Sequence, residues 1–333
     1  MTGDRPTHGL AWHGSAFVRG LVYALPATVA GVLDPLLGLA LAVGVLPVAA
    51  FPLPRRKRAR IVLALLGVVS AACFLLGSLL APHPVIAVIA LFVGGIAFGW
   101  WARDAVAGRA AMTLCLPLIG IGLSFDDFDT AVAAAVLMIV GSLYAWVVSL
   151  PWVERAPAPP GPAGSAAAAH QPPAGYPLLL GLTGAMAAAI GFGLELEHVG
   201  WVTAAALFVL RPDAELMILR VIGRVASVAA GALAAALLAW CDAGPVVGVA
   251  VAALALGALA ATVGSRWYVA PAFTTYIVLS LILVAPGESP GGRFIERVGE
   301  TGVGIGVAVV IGILLPVALR WARARRPGDR RAS

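Results

Sequence analysis

Twelve apolar stretches run along the chain, separated by short groups of charged residues, prolines and glycines. A bilayer core of about 30 Å requires roughly 20 apolar residues in a helix. Helices of this kind are predicted near 18–33, 36–53, 61–81, 84–102, 110–125, 131–150, 176–194, 199–211, 218–240, 244–264, 267–286 and 298–319. The first, second and eighth are short, and ten spans remain if short pairs are re-entrant. The pattern predicts an all-α, polytopic transmembrane bundle of about 12 helices.

The basic residues indicate how these helices are oriented. Positive residues collect in the cytoplasmic loops of membrane proteins. With the N-terminus inside, 20 of the 22 Lys and Arg residues fall in cytoplasmic segments, and only Arg293 and Arg297 fall outside. A composition rich in Ala, Val, Gly and Arg suggests a GC-rich bacterial genome. We therefore expect a multi-pass protein of a bacterial plasma (inner) membrane with both termini in the cytoplasm.

The composition excludes several classes of protein. Apolar residues make up 61% of the chain and charged residues 11%, whereas soluble domains carry about a quarter charged residues. The net charge of +6 lies in short runs between apolar stretches, so the lipid bilayer rather than nucleic acid is the expected partner. Cys73, Cys115 and Cys241 are isolated, so no metal site, disulfide framework or cofactor is predicted. The sequence leaves open whether the protein forms a homo-oligomer.

The chain divides into two membrane halves of similar size. Residues 1–150 are predicted to form one six-helix repeat and residues 176–320 a second, joined by a flexible Pro/Ala/Gly linker at 151–175 and followed by a basic cytoplasmic tail at 321–333. Six helices per half give both repeats the same orientation, which predicts a parallel duplication. At an offset of 164 or 165, the matching positions are Arg60 and Arg224, Gly67 and Gly231, and Leu150-Pro151 and Leu315-Pro316.

The second helix is interrupted in both halves. Pro47 breaks the first copy, and the second copy runs for only about three turns from Trp201 before Arg211-Pro212. Short or broken helices at matching positions of two repeats often mark the binding site of a transporter, because the freed backbone groups need a cavity or a ligand. Short helices capped by interfacial loops are the alternative. Pro117 and Pro271 fall in the fifth helices, where they predict kinks or gating hinges.

The second half resembles a known family of membrane proteins. The resemblance rests on three stretches. A short apolar helix begins at Trp201 and ends at Pro212, and an amphipathic stretch then leads to Arg224-Val-Ala-Ser-Val-Ala-Ala-Gly231-Ala. A last helix runs from Arg297 to Leu315-Pro316. These stretches are similar to the fusaric acid resistance-like (FUSC) family, which is related to aromatic acid exporters. Ser227 stands where the family usually has Gly, the first half fits more loosely, and the large cytoplasmic domain of many members has no counterpart. The resemblance implies export of small organic anions, often aromatic carboxylates.

Four arginines are candidates for contacting such an anion. Arg60 and Arg224 are expected where the third helix of each half begins, Arg211 at the end of the broken helix, and Arg297 at the outer side. Arg stays charged and binds both oxygens of a carboxylate. The alternative is that Arg60, Arg224 and Arg211 only set the topology at the headgroups, and that Arg293 and Arg297 pair with Glu296 or Glu300.

The sequence therefore favours a transporter or channel-like exporter of small organic carboxylate anions, aromatic ones among them. The alternatives are a non-transporting partner of an envelope system and an intramembrane lipid-modifying enzyme, for which no catalytic residue is predicted. Asp and Glu are expected in loops rather than clearly inside a span. Ion-coupled carriers commonly keep an ionisable residue inside a span. Since none is predicted there, we expect efflux driven by the membrane potential rather than by a coupling ion. Close packing is expected at Gly302, Gly304, Gly306 and Gly312.

Overall fold

A computed structural model describes residues 11–152, 173–265, 268–285 and 287–324 of the protein. The first half contains α1 (Gly14–Leu33), α2 (Pro35–Ala49), a 3₁₀ turn (Lys57–Arg60), α3 (Ile61–Leu80), α4 (Pro84–Asp104), α5 (Val106–Gly122) and α6 (Phe128–Ser149). The second half contains α7 (Tyr176–Gly193), α8 (Val199–Val209), α9 (Ala214–Trp240), α10 (Pro245–Ala261), α11 (Ala270–Leu283), α12 (Pro290–Val309), a π-helical turn (Val310–Leu314) and α13 (Leu315–Ala324).

The described part of the chain is all-helical, and α12, the π turn and α13 form one continuous rod. Seven helices are long and apolar enough to cross a membrane, namely α1, α3, α4, α6, α7, α9 and the rod. The other five are apolar but shorter. The predicted polytopic helical bundle of about twelve helices is confirmed, and the chain is a multi-pass membrane protein. Most of the predicted linker, residues 153–172, and the tail beyond 324 lie outside the described residues.

The two halves pack through related pairs of helices. In the first half α3 packs on α5 and α6, and α2 packs on α6; in the second half α9 packs on α11 and α12, and α8 packs on α12. Across the halves, α1 meets α10 and α4 meets α7, while α2 meets α11 and α5 meets α8. This is the pattern expected of two six-helix repeats in one orientation. The duplication itself stays a prediction.

Helix α8 is the shortest of the apolar helices, and the residues after it explain why. It has 11 residues and spans about 16 Å, well short of a bilayer core of about 30 Å. Leu210 leaves the helical region with φ −55° and ψ 127°. Arg211 precedes Pro212, and a residue before proline is disfavoured in the α region. Asp213 then begins α9 by accepting the backbone N–H groups of Glu215 and Leu216.

Three predicted boundaries were wrong, and two of the corrections move a candidate residue. Because Asp213 caps α9 at Ala214, Arg224 lies ten residues inside that helix rather than at its start. Because Ser289 caps α12 at Pro290, Arg297 and Glu300 lie inside α12 rather than at its outer edge. The first helix, predicted to be short, has 20 residues.

The prolines play different parts in the helices. Pro117 lies inside α5, as predicted, and α2 continues past Pro47 to Ala49 rather than breaking there. Pro271 lies in the first turn of α11, where proline costs no hydrogen bond, so it starts that helix rather than kinking it. The π turn at Val310–Leu314 ends two residues before Pro316, whose missing N–H and ring disfavour a regular α-helix there.

Candidate functional site

The candidate site is built around α8, which is enclosed by α5, α7, α9 and α12. Every residue of α8 except Phe208 is buried. Glycines allow this enclosure: a Cβ on Gly304 of α12 would collide with the Val202 carbonyl, and a Cβ on Gly200 would lie 2.6 Å from the Ile121 carbonyl of α5. Gly312, in the π turn, is also tightly packed, whereas Gly302 and Gly306 face open space, so close packing holds for only two of the four glycines for which it was predicted.

One end of α8 carries a buried guanidinium. The Cζ atom of Arg224, on α9, lies 4.7 Å from the centroid of the Phe208 ring. Arg224 is only 9% exposed, and its Nε finds no hydrogen-bond partner among the described residues. A guanidinium over an aromatic face gains a cation–π attraction but has no counter-charge.

The other end of α8 repeats this arrangement. The Cζ atom of Arg297, on α12, lies 4.2 Å from the centroid of the Trp201 ring. His198, just before α8, stacks on the same indole with centroids 4.0 Å apart and an interplanar angle of 10°. An aromatic residue near each terminus of one short helix therefore holds an arginine supplied by a neighbouring helix.

Among the described residues, neither arginine forms a close ion pair. In the part of the chain that the structure describes, no carboxylate lies within 4.0 Å of the guanidinium of Arg224 or Arg297. Buried charges are normally paired. An anion beside α8 would supply the missing countercharge.

Arg211 and Arg220 have a different environment, the carboxyl end of α8. Arg211 donates to the Leu210 carbonyl at 2.5 Å, Arg220 donates to the Phe208 carbonyl at 3.5 Å, and the Tyr176 hydroxyl donates to the Leu210 carbonyl at 3.3 Å. Burial lowers the pKa of the Arg211 guanidinium, while Tyr176 acts in the opposite direction. Basic side chains at a helix carboxyl end satisfy its free carbonyls and complement its dipole.

Arg60 lies directly before α3, as predicted, and is 2% exposed. Its guanidinium donates to the carbonyls of Ser149, Leu150 and Trp152 at the end of α6, and its Nε donates to the Pro54 carbonyl at 3.0 Å. These contacts tie the α2–α3 loop to α6. Although Arg60 aligns with Arg224, the two side chains have unlike surroundings.

Arg293 is the centre of an ion-pair cluster at the opposite end of the bundle from Arg60. It contacts Glu288 at 2.5 and 2.8 Å, Glu296 at 2.6 Å and Glu197 at 2.7 Å. The predicted pairing of Arg293 with an acidic residue is confirmed. Hydrogen bonds from Arg293 lower the pKa of the Glu197 and Glu288 carboxyls. The cluster links the α7–α8 and α11–α12 loops to α12.

The same cluster contains the one set of side chains in the described residues with spacing suited to a metal ion. Ligand atoms of Glu197, His198 and Glu296 lie within 4.8 Å of one another. However, Glu197 and Glu296 already bond Arg293, and His198 Nδ1 lies 2.5 Å from Glu296 Oε1. These contacts account for the cluster without a cation.

Glu300 is the functional candidate that sequence reasoning missed. It is 4% exposed within α12, so the expectation that acidic residues lie in loops rather than clearly inside a span was wrong at this position. The error came from starting the helix at 298, which left Glu300 in its first turn. The Ser289-Pro290 pair, a capping residue followed by a first-turn proline, was the available signal.

The comparisons with known proteins agree with the resemblance described above. Residues 185–311 match the family described as fusaric acid resistance protein-like, which confirms that resemblance for less than half of the chain. The match includes Trp201, Phe208, Arg224 and Arg297. No curated protein and no solved structure matches the chain.

Proposed function

Because residues 185–311 match the fusaric acid resistance-like family, we propose that the protein exports small organic carboxylate anions across a membrane. The observation that carries the proposal is the pair of arginines beside α8, the buried Arg224 over Phe208 and the half-buried Arg297 over Trp201, which form no ion pair within 4.0 Å in the described structure. An intramembrane ionisable residue without a structural partner is a functional-site candidate.

Each arginine contributes what a carboxylate needs. The guanidinium stays protonated and presents parallel N–H donors that match two carboxylate oxygens. A neighbouring aromatic ring holds each guanidinium in place and offers apolar surface to an aromatic substrate. Because the two charges lie near opposite ends of α8, an anion released from one is attracted by the other. We include Arg224 and Arg297 in the proposed site.

Arg211 and Arg60 are weaker candidates for binding the anion. The guanidinium of Arg60 is engaged with four carbonyl oxygens, and Arg211 bonds the end of α8. Binding an anion there would require these contacts to be given up. Arg211 is the nearer of the two to the α8 site.

The expected orientation determines which arginine an exported anion meets first. We assign the protein to a bacterial inner membrane with both termini in the cytoplasm, on the basis of the 20 basic residues in predicted cytoplasmic segments. Arg224 then lies toward the cytoplasmic end of α8 and Arg297 toward the outer end. A cytoplasmic anion meets Arg224 first.

Flux through reconstituted protein tests the proposal. Proteoliposomes loaded with radiolabelled benzoate or terephthalate are expected to release label faster than protein-free liposomes. The Arg224→Gln/Arg297→Gln double variant is expected to lose this release, because neither aromatic ring of α8 then holds a guanidinium. Arg58→Gln, at an exposed position in the 3₁₀ turn, is the matched control and is expected to retain it. Equal release by wild type and double variant would contradict the proposed site.

A further inference from the structure

Glu300 combines burial with incomplete hydrogen bonding. Its Oε1 accepts the His198 backbone N–H at 3.3 Å, and its Oε2 finds no hydrogen-bond partner among the described residues. An ionised carboxylate in this environment bears a desolvation cost, whereas a protonated carboxyl does not. The position favours a group that exchanges a proton.

An open cavity connects Glu300 to the end of the bundle predicted to face outward. Its volume is ≈ 650 Å³, and it extends from the α7–α8 and α11–α12 loops down to Glu300. Four further carboxylates line it, from Glu195, Glu197, Glu288 and Glu296, against one guanidinium, from Arg293. A cavity with this excess of negative charge concentrates protons and repels organic anions. It therefore supplies protons to Glu300 rather than a path for the substrate.

The charged groups around Glu300 come from several elements. Glu296 and Arg297 lie on α12 itself, Glu197 and His198 lie before α8, and Arg224 on α9 acts through Arg297. Helix α8 carries no titratable side chain, and α7 and α11 carry only Tyr176 and Tyr276. Among these groups Arg297 is the cation that acts directly on Glu300, and it lies three residues earlier on the same helix face.

Arg297 and Glu300 attract each other without forming an ion pair within 4.0 Å. A substrate carboxylate at Arg297 would be a second negative charge beside an ionised Glu300. Two like charges in one buried site disfavour each other. Protonation of Glu300 removes that repulsion and leaves Glu296, which already bonds Arg293, as the other carboxylate that acts on Arg297.

We infer that Glu300 is a proton-binding gate: its ionised carboxylate competes with the substrate for Arg297, and a proton arriving through the acidic cavity releases Arg297 to bind the anion. No covalent bond changes, and one proton is taken up by Glu300 for each anion that binds. The inference rests on the proposed function for the identity of the anion. Because binding linkage is reciprocal, bound anion must in turn favour protonated Glu300.

The proton site is tested first without any substrate. Infrared difference spectra of the full chain in lipid, recorded between about pH 5 and about pH 9, a range that covers buried carboxyls, are expected to show a protonated-carboxyl band that grows on acidification. Glu300→Gln is expected to lose this band. Glu300→Asp should keep a titrating band, and Glu215→Gln, at an exposed position on α9, should match wild type. A wild-type difference spectrum unchanged by Glu300→Gln would overturn the inference.

The linkage is tested by binding of benzoate, which is ionised throughout neutral pH. Calorimetry in two buffers of different ionisation enthalpy is expected to show uptake of about one proton per benzoate, and affinity weakening about tenfold per pH unit where Glu300 ionises. Glu300→Gln is expected to bind benzoate without proton uptake and independently of pH. Wild-type binding that ignores pH would overturn the gate and leave the proposed function standing. Absence of benzoate and terephthalate binding at every pH, in protein that shows the infrared band, would overturn the proposed function and the linkage that rests on it.

Discussion

At the scale of single residues, the surroundings of each arginine set its role. Arg60 donates hydrogen bonds to backbone carbonyls, and Arg293 forms ion pairs with three carboxylates. Arg224 is buried to a similar degree as Arg60, yet its Nε has no partner in the described structure. A side chain that satisfies buried acceptors stabilises the fold, whereas an unpaired buried charge costs stability and persists where function requires it.

This contrast predicts opposite effects of the same substitution. Arg60→Met is expected to lower the free energy of unfolding by about 1–3 kcal/mol, because the carbonyls at the end of α6 lose their donor. Arg224→Met is expected to leave stability unchanged or to raise it, because an uncompensated buried charge is replaced by an apolar side chain of similar length. Thermal unfolding of the two purified variants in the same detergent measures the difference. A large loss of stability in Arg224→Met would assign that residue a structural role.

At the scale of helices, the site depends on how closely α12 approaches α8. The approach occurs at Gly304, where an added Cβ would collide with the Val202 carbonyl. It brings Arg297, two turns earlier on α12, onto the Trp201 ring. A backbone contact of this kind tolerates no side chain, because the obstructing atom belongs to a buried helix that cannot move aside.

A matched pair of substitutions on one helix tests this contact. Gly304→Ala is expected to destabilise the protein by about 1–3 kcal/mol through overpacking. Gly306→Ala lies two residues away with no atom near its added Cβ, and is expected to be neutral or to stabilise by up to about 1 kcal/mol through helix propensity. Melting temperatures of both variants measure the effect. Equal melting temperatures would show that α8 and α12 do not pack as closely as described.

The Arg293 cluster predicts how acid affects the α7–α8 and α11–α12 loops. The pKa of Glu197 and of Glu288 is lowered in the folded protein by hydrogen bonds from Arg293. A carboxyl with a lowered folded pKa contributes stability above its unfolded pKa, about 4.3 for Glu, and loses it as the pH falls through the folded value. Arg293→Met should therefore lower the melting temperature at about pH 7 but have a smaller effect below about pH 4. An effect that persists unchanged in acid would show that Arg293 acts through packing rather than charge.

At the scale of the whole molecule, the exposed Cys241 after α9 reports the orientation of the bundle. With both termini in the cytoplasm, the α9–α10 loop faces outward. A membrane-impermeant maleimide is therefore expected to label Cys241 in intact cells, and Cys241→Ser should abolish most of that labelling, since Cys115 is buried and Cys73 half-buried. Arg58→Cys in a Cys241→Ser background should label only after the cells are opened. Labelling of Arg58→Cys from outside would reverse the assigned topology.

The net charge of the substrate predicts a response to the membrane potential. A potential of about 100 mV, negative inside, favours the exit of a monoanion by about 2.3 kcal/mol, or roughly fifty-fold at equilibrium. Because Glu300 is inferred to gate binding rather than to carry a proton across, benzoate efflux from proteoliposomes should follow a potassium/valinomycin potential without a pH gradient. Efflux that ignores the potential and follows only an imposed proton gradient would contradict this prediction and make Glu300 a coupling residue.

Several features of this protein were predictable from its sequence, because they depend on composition and local pattern. Runs of about 20 apolar residues predict a membrane helix wherever they lie in the fold. The break at Arg211-Pro212 ends α8 through a steric effect on neighbouring residues. The resemblance of the second half rests on residues close together in the chain, from Trp201 through Arg224 and from Arg297 to Pro316, and the family match confirms it.

Other features depended on contacts between distant parts of the chain, and only the tertiary structure decided them. The predicted repeat aligns Arg60 with Arg224, yet one meets carbonyls at the end of α6 and the other meets the Phe208 ring. The sequence pattern predicted Glu300 at the edge of a helix. In the structure α12 begins at Pro290, so Glu300 lies inside the helix and lines the acidic cavity. A sequence specifies which residues carry charge, but whether a charge is paired depends on the atoms that packing brings within a few ångströms of it.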